Sequence, residues 1–64
     1  MNAAELRELL TPPTIKVEQA ARVLALSRNS AYEACAHGEI ASIKIGKRIL
    51  VLTAPLRRQL GIEG

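Results

Sequence analysis

Hydrophobic positions along this chain repeat with two different periods. Leu6, Leu9 and Leu10 stand at i, i+3 and i+4. So do Val17, Ala20 and Ala21, continued by Leu24, and again Ala31, Ala34 and Cys35. That spacing lines one face of a helix. Between Ile43 and Val51 the period shortens: Ile43 and Ile45 flank Lys44, and Ile49 and Val51 flank Leu50, the alternation of a strand pair. Leu56 and Leu60 return to helical spacing. Thr14-Ile15-Lys16 reads as a single short extended stretch.

The punctuation agrees with these periods. Asn2 is a good N-cap with Glu5 three residues on, so a first helix spans Asn2 to Leu10 and ends at Thr11-Pro12-Pro13. A second helix covers Val17 to Leu24, with small Ala20 and Ala21 where two helices cross closely. Lys16 is a poor N-cap for it, although a lysine there could reach a phosphate near the helix start. Ala25-Leu26-Ser27 makes a tight turn in which Leu26 plugs the angle between helices and Ser27 caps the next one. That third helix buries Ala31, Ala34 and Cys35, exposes Arg28, Asn29, Tyr32, Glu33 and Ala36, and stops at His37-Gly38. Thr53 caps a last short helix, Pro55 sits in its first turn and Gly61 ends it, leaving Ile62 to Gly64 to fray.

The hairpin has two registers to choose from. If Ile43, Ile45, Ile49 and Val51 all face one core, 45 pairs with 49 and 43 with 51. The tip is then Gly46-Lys47-Arg48, and Leu50 is exposed. A two-residue Gly-Lys turn would put Arg48 and Leu50 on the apolar face, which one-sided burial disfavours, so the three-residue tip is expected.

Helix, tight turn, helix, basic hairpin is the order of parts of a winged helix-turn-helix. The expected fold is mainly α with a small β-hairpin, carrying an extra N-terminal helix and a short C-terminal helix. All of 1–64 forms one domain: N-terminal helix and Pro-Pro linker at 1–13, helix-turn-helix at 17–38, wing at 41–52, closing helix at 53–61. At 64 residues the chain buries only about 60% of its unfolded surface, so a few kcal/mol of stability is expected. Tyr32 is the only aromatic residue, so the core is aliphatic.

Composition adds a direction to this frame. Nine Lys and Arg against six Asp and Glu give a net charge of +3. Seven of those nine basic residues follow Val17, around the second helix, the hairpin and the C-terminal segment. Cys35 is the only cysteine, so no disulfide forms within one chain and a reducing setting fits. The polar start MNAAELRE lacks the pattern of a signal peptide, no apolar run is long enough to span a membrane, and a cytoplasmic place in a bacterial host is expected.

Catalysis is not expected. The sequence has no Gly-rich phosphate loop, carboxylate pair or supported Ser/His/Asp set, and no Cys/His group with metal-ligand spacing, so neither cofactor nor metal is expected. Cys35 reads as a small buried apolar residue and His37 as a helix-end residue favoured by the dipole.

DNA binding is the function the pattern favours. The N-terminal residues of a recognition helix meet base edges in the major groove. Here they are Arg28, Asn29 and Ser30, behind the cap Ser27. Arg can bond guanine O6 and N7 together, Asn adenine N6 and N7, and Ser a base or a phosphate. Tyr32, one turn on, could stack on a sugar or bond a phosphate. Lys47 and Arg48 at the tip would meet the backbone or minor groove beside the helix. Each charge taken alone fits an ordinary solvated side chain; their convergence on one motif favours DNA.

The run VEQAARVLALSRNSAYEACAHGEIASIKIGKR resembles the excisionase and MerR-like helix-turn-helix family of phage and bacterial DNA-binding proteins. The resemblance is carried by Ala20-Ala21, Leu26-Ser27-Arg28, Tyr32, Gly38-Glu39-Ile40 and Ile43-Lys44-Ile45-Gly46-Lys47-Arg48, and Thr53 to Leu60 is similar to the family's closing helix. It implies a recombination directionality factor: a non-enzymatic protein that binds several short DNA sites near a prophage attachment junction, bends them, and helps the phage integrase run excision. By position, Arg28, Asn29, Ser30 and Tyr32 match the family's recognition helix, and Lys47 and Arg48 its wing tip. Glu33 and Ala36 stand where basic residues are common, Leu50 stands where a polar residue is usual, and the first helix is an addition. A lighter phosphate grip follows, so neighbouring copies on adjacent sites are expected to cooperate, with Leu50 and the first-helix leucines as contacts. The implied partners are double-stranded DNA, a phage integrase and further copies of the chain, with no membrane and no small-molecule substrate. The alternatives are a small MerR-like or Cox-type transcriptional regulator, or a protein-interaction module without DNA. With about a dozen residues after Val51, no effector-sensing domain is expected.

Overall fold

A computed structural model describes residues 2–62 of the chain. The elements run α1 (Ala3–Leu9), β1 (Thr14–Lys16), α2 (Val17–Leu24), α3 (Arg28–Ala36), β2 (Ser42–Ile45), β3 (Arg48–Leu52) and α4 (Thr53–Leu60). Four helices stand against a three-stranded antiparallel sheet of order β1-β3-β2, a winged helix-turn-helix. The expected hairpin is thus part of a larger sheet, because β1 pairs Ile15 with Val51 and Lys16 with Leu50 along the other side of β3.

Local chemistry sets most boundaries. Asn2 accepts from the Glu5 N–H at 2.9 Å and starts α1. Ser27 accepts from the Ser30 N–H at 3.1 Å and starts α3. Lys16 contributes no side-chain cap to α2. Instead Gln19 Oε1 reaches back to the Lys16 N–H at 3.0 Å, one arm of a capping box. Gly38, at φ +77°, follows α3 as its left-handed terminator. Between α2 and α3 that conformation falls on Ala25, at φ +56°, with the Leu26 N–H closing back on Ala21 O at 2.9 Å.

The core is formed by Leu10, Ile15, Val17, Ala20, Ala21, Ala31, Cys35, Ile40, Val51 and Leu56. Alanines on α2 and α3 face this core, so the two helices meet through small side chains and cross closely. Leu26 does not plug their angle as expected: it is 41% exposed, at the rim of a hollow that it lines with Leu24, Ala34 and Leu60.

The hairpin register also differs from expectation. Ile45 pairs with Arg48, Lys44 with Ile49 and Ile43 with Leu50, so the turn is the two residues Gly46-Lys47. Gly46 has φ +60° and Lys47 a negative φ, the sign pattern of the type II′ turn that matches strand twist. Turn geometry overrides one-sided burial here. Ile49 and Val51 face the core, whereas Ile43 (39% exposed) and Ile45 (60%) lie on the outer face with Leu50. Leu50 itself is half-buried rather than exposed.

At the other end, Thr53 does not cap α4; Leu52 holds that position. Thr53 is fully buried and donates its hydroxyl to Pro12 O at 2.5 Å, while its N–H donates to Pro13 O at 3.1 Å. Arg57 Nη1 donates to Leu10 O and to Thr53 Oγ1. The Pro-Pro linker is thereby latched to α4. Ile62 does not fray: its N–H donates to Arg57 O at 2.8 Å and its side chain packs on the core. Glu63 and Gly64 lie outside the described residues.

Candidate nucleic-acid interface

The N-terminus of α3 projects into solvent. Arg28, Asn29 and Ser30 are exposed, while Ala31 behind them is buried and fixes the rotation of the helix. Ser27 is committed locally: its oxygen accepts from the Ser30 N–H, and its hydroxyl donates to Ser30 Oγ at 2.9 Å. The two hydroxyls are thus held together at the start of the helix.

Tyr32 links two helices. Its hydroxyl donates to Glu18 Oε1 on α2 at 3.3 Å, and the Arg28 guanidinium lies over its ring, 5.7 Å from the centroid. The ring is half-buried, and its hydroxyl proton is already engaged. The structure thus gives Tyr32 a supporting contact beneath Arg28, in addition to any contact with a ligand.

A cleft of about 300 Å³ separates this helix pair from the wing. It is lined by Glu18 and Tyr32 of the helices and by Lys16, Lys47, Arg48, Ile49 and Leu50 of the sheet and its turn, Lys16 being the cross-strand partner of Leu50. Of the α3 residues read from sequence, Tyr32 lines this concave surface together with Lys47 and Arg48; Arg28 adjoins it through the Tyr32 ring, and Asn29 and Ser30 stand outside the lining. Lys16, poor as a cap, lies on that surface. Glu18 carried no signal in the sequence, since it stands fourteen residues before its partner Tyr32.

Electrostatically the cleft is mixed, with Lys16, Lys47 and Arg48 outnumbering the single carboxylate of Glu18. Among the described residues no lysine or arginine lies within ion-pair distance of a carboxylate, and His37 Nδ1 approaches Glu39 Oε1 at 3.7 Å, away from the cleft lining. Cys35 is a buried free thiol. Among the described residues there is no cluster of His, Cys, Asp and Glu that could hold a metal, and no helix long and apolar enough to cross a membrane.

A family model described as a helix-turn-helix domain matches residues 14–58. The chain belongs to the helix-turn-helix domain family. That family includes excisionase-like DNA-binding proteins. The match runs from β1 through most of α4 and takes in α3, the hairpin and every residue lining the cleft. It leaves α1 and its proline linker as an addition to the helix-turn-helix domain. No curated protein and no solved structure matches the chain significantly.

Proposed function

We propose that this helix-turn-helix domain binds double-stranded DNA, with the first turn of α3 in the major groove and the Gly46-Lys47 turn and Arg48 on the flanking backbone, as an excisionase-type accessory factor for site-specific recombination. The observation that supports DNA binding is the cleft, whose lining gathers Lys16, Lys47 and Arg48 with Tyr32, the ring against which the exposed Arg28 rests. Arg28 and Asn29 supply the forks that read guanine and adenine, and Ser30 the adaptable hydroxyl. Lys16, Lys47 and Arg48 act on phosphate and set register. The excisionase role is supported by the family match and by the resemblance of Val17 to Arg48 to that group.

So small a set of phosphate contacts gives weak, salt-sensitive binding at one site. Copies on adjacent sites supply the remaining affinity through protein contacts. The surface best suited to this is the outer sheet face, where Ile43 and Ile45 stand exposed beside Leu50. The first-helix leucines are half-buried or buried and serve less well.

The decisive experiment is a gel-shift and bending assay on DNA flanking a candidate attachment junction, with excision measured alongside the cognate integrase. Retarded, bent complexes that stimulate excision are expected. Binding without any effect on recombination would remove the excisionase role and leave a transcriptional regulator; no binding at low salt would remove DNA altogether.

A further inference from the structure

A cleft built for phosphate has no evident use for a carboxylate, yet Glu18 lines it together with Lys16, Lys47 and Arg48. None of these cations pairs with it. Its hydrogen-bond partner is the Tyr32 hydroxyl, which carries Arg28 on the other side of the ring. The result is a three-residue chain, from α2 to α3 and then to the first base-reading position.

We infer that Glu18 is a positioning and specificity-determining residue: through Tyr32 it fixes the aim of Arg28, and its own charge holds down binding to DNA of any sequence. The inference rests on the DNA reading above. An arginine at a helix start has many rotamers, and ordering it on a base edge opposes binding. A ring held at its hydroxyl end by Glu18 presents a fixed face to the planar guanidinium, so part of that ordering precedes contact with DNA. The carboxylate also lies within a Debye length of any phosphate in the cleft and repels it whatever the bases are. One side chain thus lowers affinity for all sequences and sharpens discrimination among them.

The two effects separate in three variants, measured on a site selected from random-sequence DNA and on random DNA. Glu18→Gln keeps an acceptor for Tyr32 and removes the charge, so random DNA binds more tightly while the ratio of selected to random affinity stays at the wild-type value. Glu18→Ala removes charge and acceptor together, so random DNA again binds more tightly but the ratio falls about two- to five-fold. Tyr32→Phe leaves the net charge alone and lowers the ratio by a similar factor, and the Glu18→Ala/Tyr32→Phe pair falls no further than either alone.

A DNA-free readout accompanies them. The Arg28 δ-methylene protons carry a ring-current shift from Tyr32 that Glu18→Gln retains and Glu18→Ala loses. Equal ratios for Glu18→Ala and Glu18→Gln, or an unchanged ratio for Tyr32→Phe, would overturn the role. A wild-type protein that binds no DNA would overturn it as well, and a ring-current shift still dependent on Glu18 would then locate the failure in the DNA reading rather than in the linkage.

Discussion

Replacing Thr53 by valine removes one hydroxyl from the interior at almost constant shape. Thr53 is fully buried, donates to Pro12 O at 2.5 Å and accepts from Arg57 Nη1 at 3.3 Å. Valine fills the same space, so no cavity term arises, and the backbone bond from residue 53 to Pro13 O survives. What is lost is the partner of a part-buried carbonyl, a cost of about 1–3 kcal/mol, offset in part by the extra buried methyl. The net loss is about 1–2 kcal/mol. In a domain of this size each kcal/mol moves Tm by roughly 4–8 °C, so the melting point falls by about 5–15 °C in calorimetry or thermal circular dichroism. Thr53→Ser keeps the hydroxyl and loses only the methyl, so it sits between valine and wild type. A valine variant as stable as wild type, or a serine variant weaker than valine, would refute the assignment and make Thr53 a packing residue.

Arg28→Ala weakens binding to a selected site by about 1–3 kcal/mol and relaxes preference at one base pair. Lys47→Ala instead weakens all sequences alike and lowers the salt slope by about 0.9, so filter binding on both DNAs across a salt series distinguishes the two roles. Ala25→Gly stabilises the domain by about 0.5–1 kcal/mol, because relief at φ +56° exceeds the added chain entropy; urea denaturation reads the shift. Ile45→Ser changes stability by less than about 0.5 kcal/mol, since the side chain is 60% exposed, but reduces cooperativity on DNA with adjacent sites in a gel-shift titration.

Features encoded by neighbouring residues were legible in the sequence. Asn2, Ser27, Gly38 and Gly61 bound their helices because a cap bonds its partner within one turn. The order of elements also carries the placement of Tyr32 in the same cleft as Lys47 and Arg48. What failed depended on distant partners or on competing preferences. Thr53 read as a cap because its true acceptor, Pro12 O, lies forty-one residues away in sequence. Ile43 and Ile45 carry the alternation of core residues, yet a two-residue turn with glycine at positive φ sets the register and puts them on the outer face. The exposure of Arg28, Asn29 and Ser30 follows from their position on α3, whereas Glu18 carries no such mark because only folding brings α2 to Tyr32.

β1 passes into α2 without a connecting loop, since Lys16 both ends the strand and precedes the first helical residue, and the same Lys16 is paired with Leu50 on the central strand. The wing is therefore joined to the helix-turn-helix by backbone continuity on one side and by a strand ladder on the other. Such a joint leaves little compliance between the hairpin turn and the start of α3. A duplex that engages both must match a fixed span, and the work of adjustment falls on the nucleic acid. Steps that kink or twist easily between the two contacts would then be selected by their mechanics, at base pairs that no side chain of this protein touches.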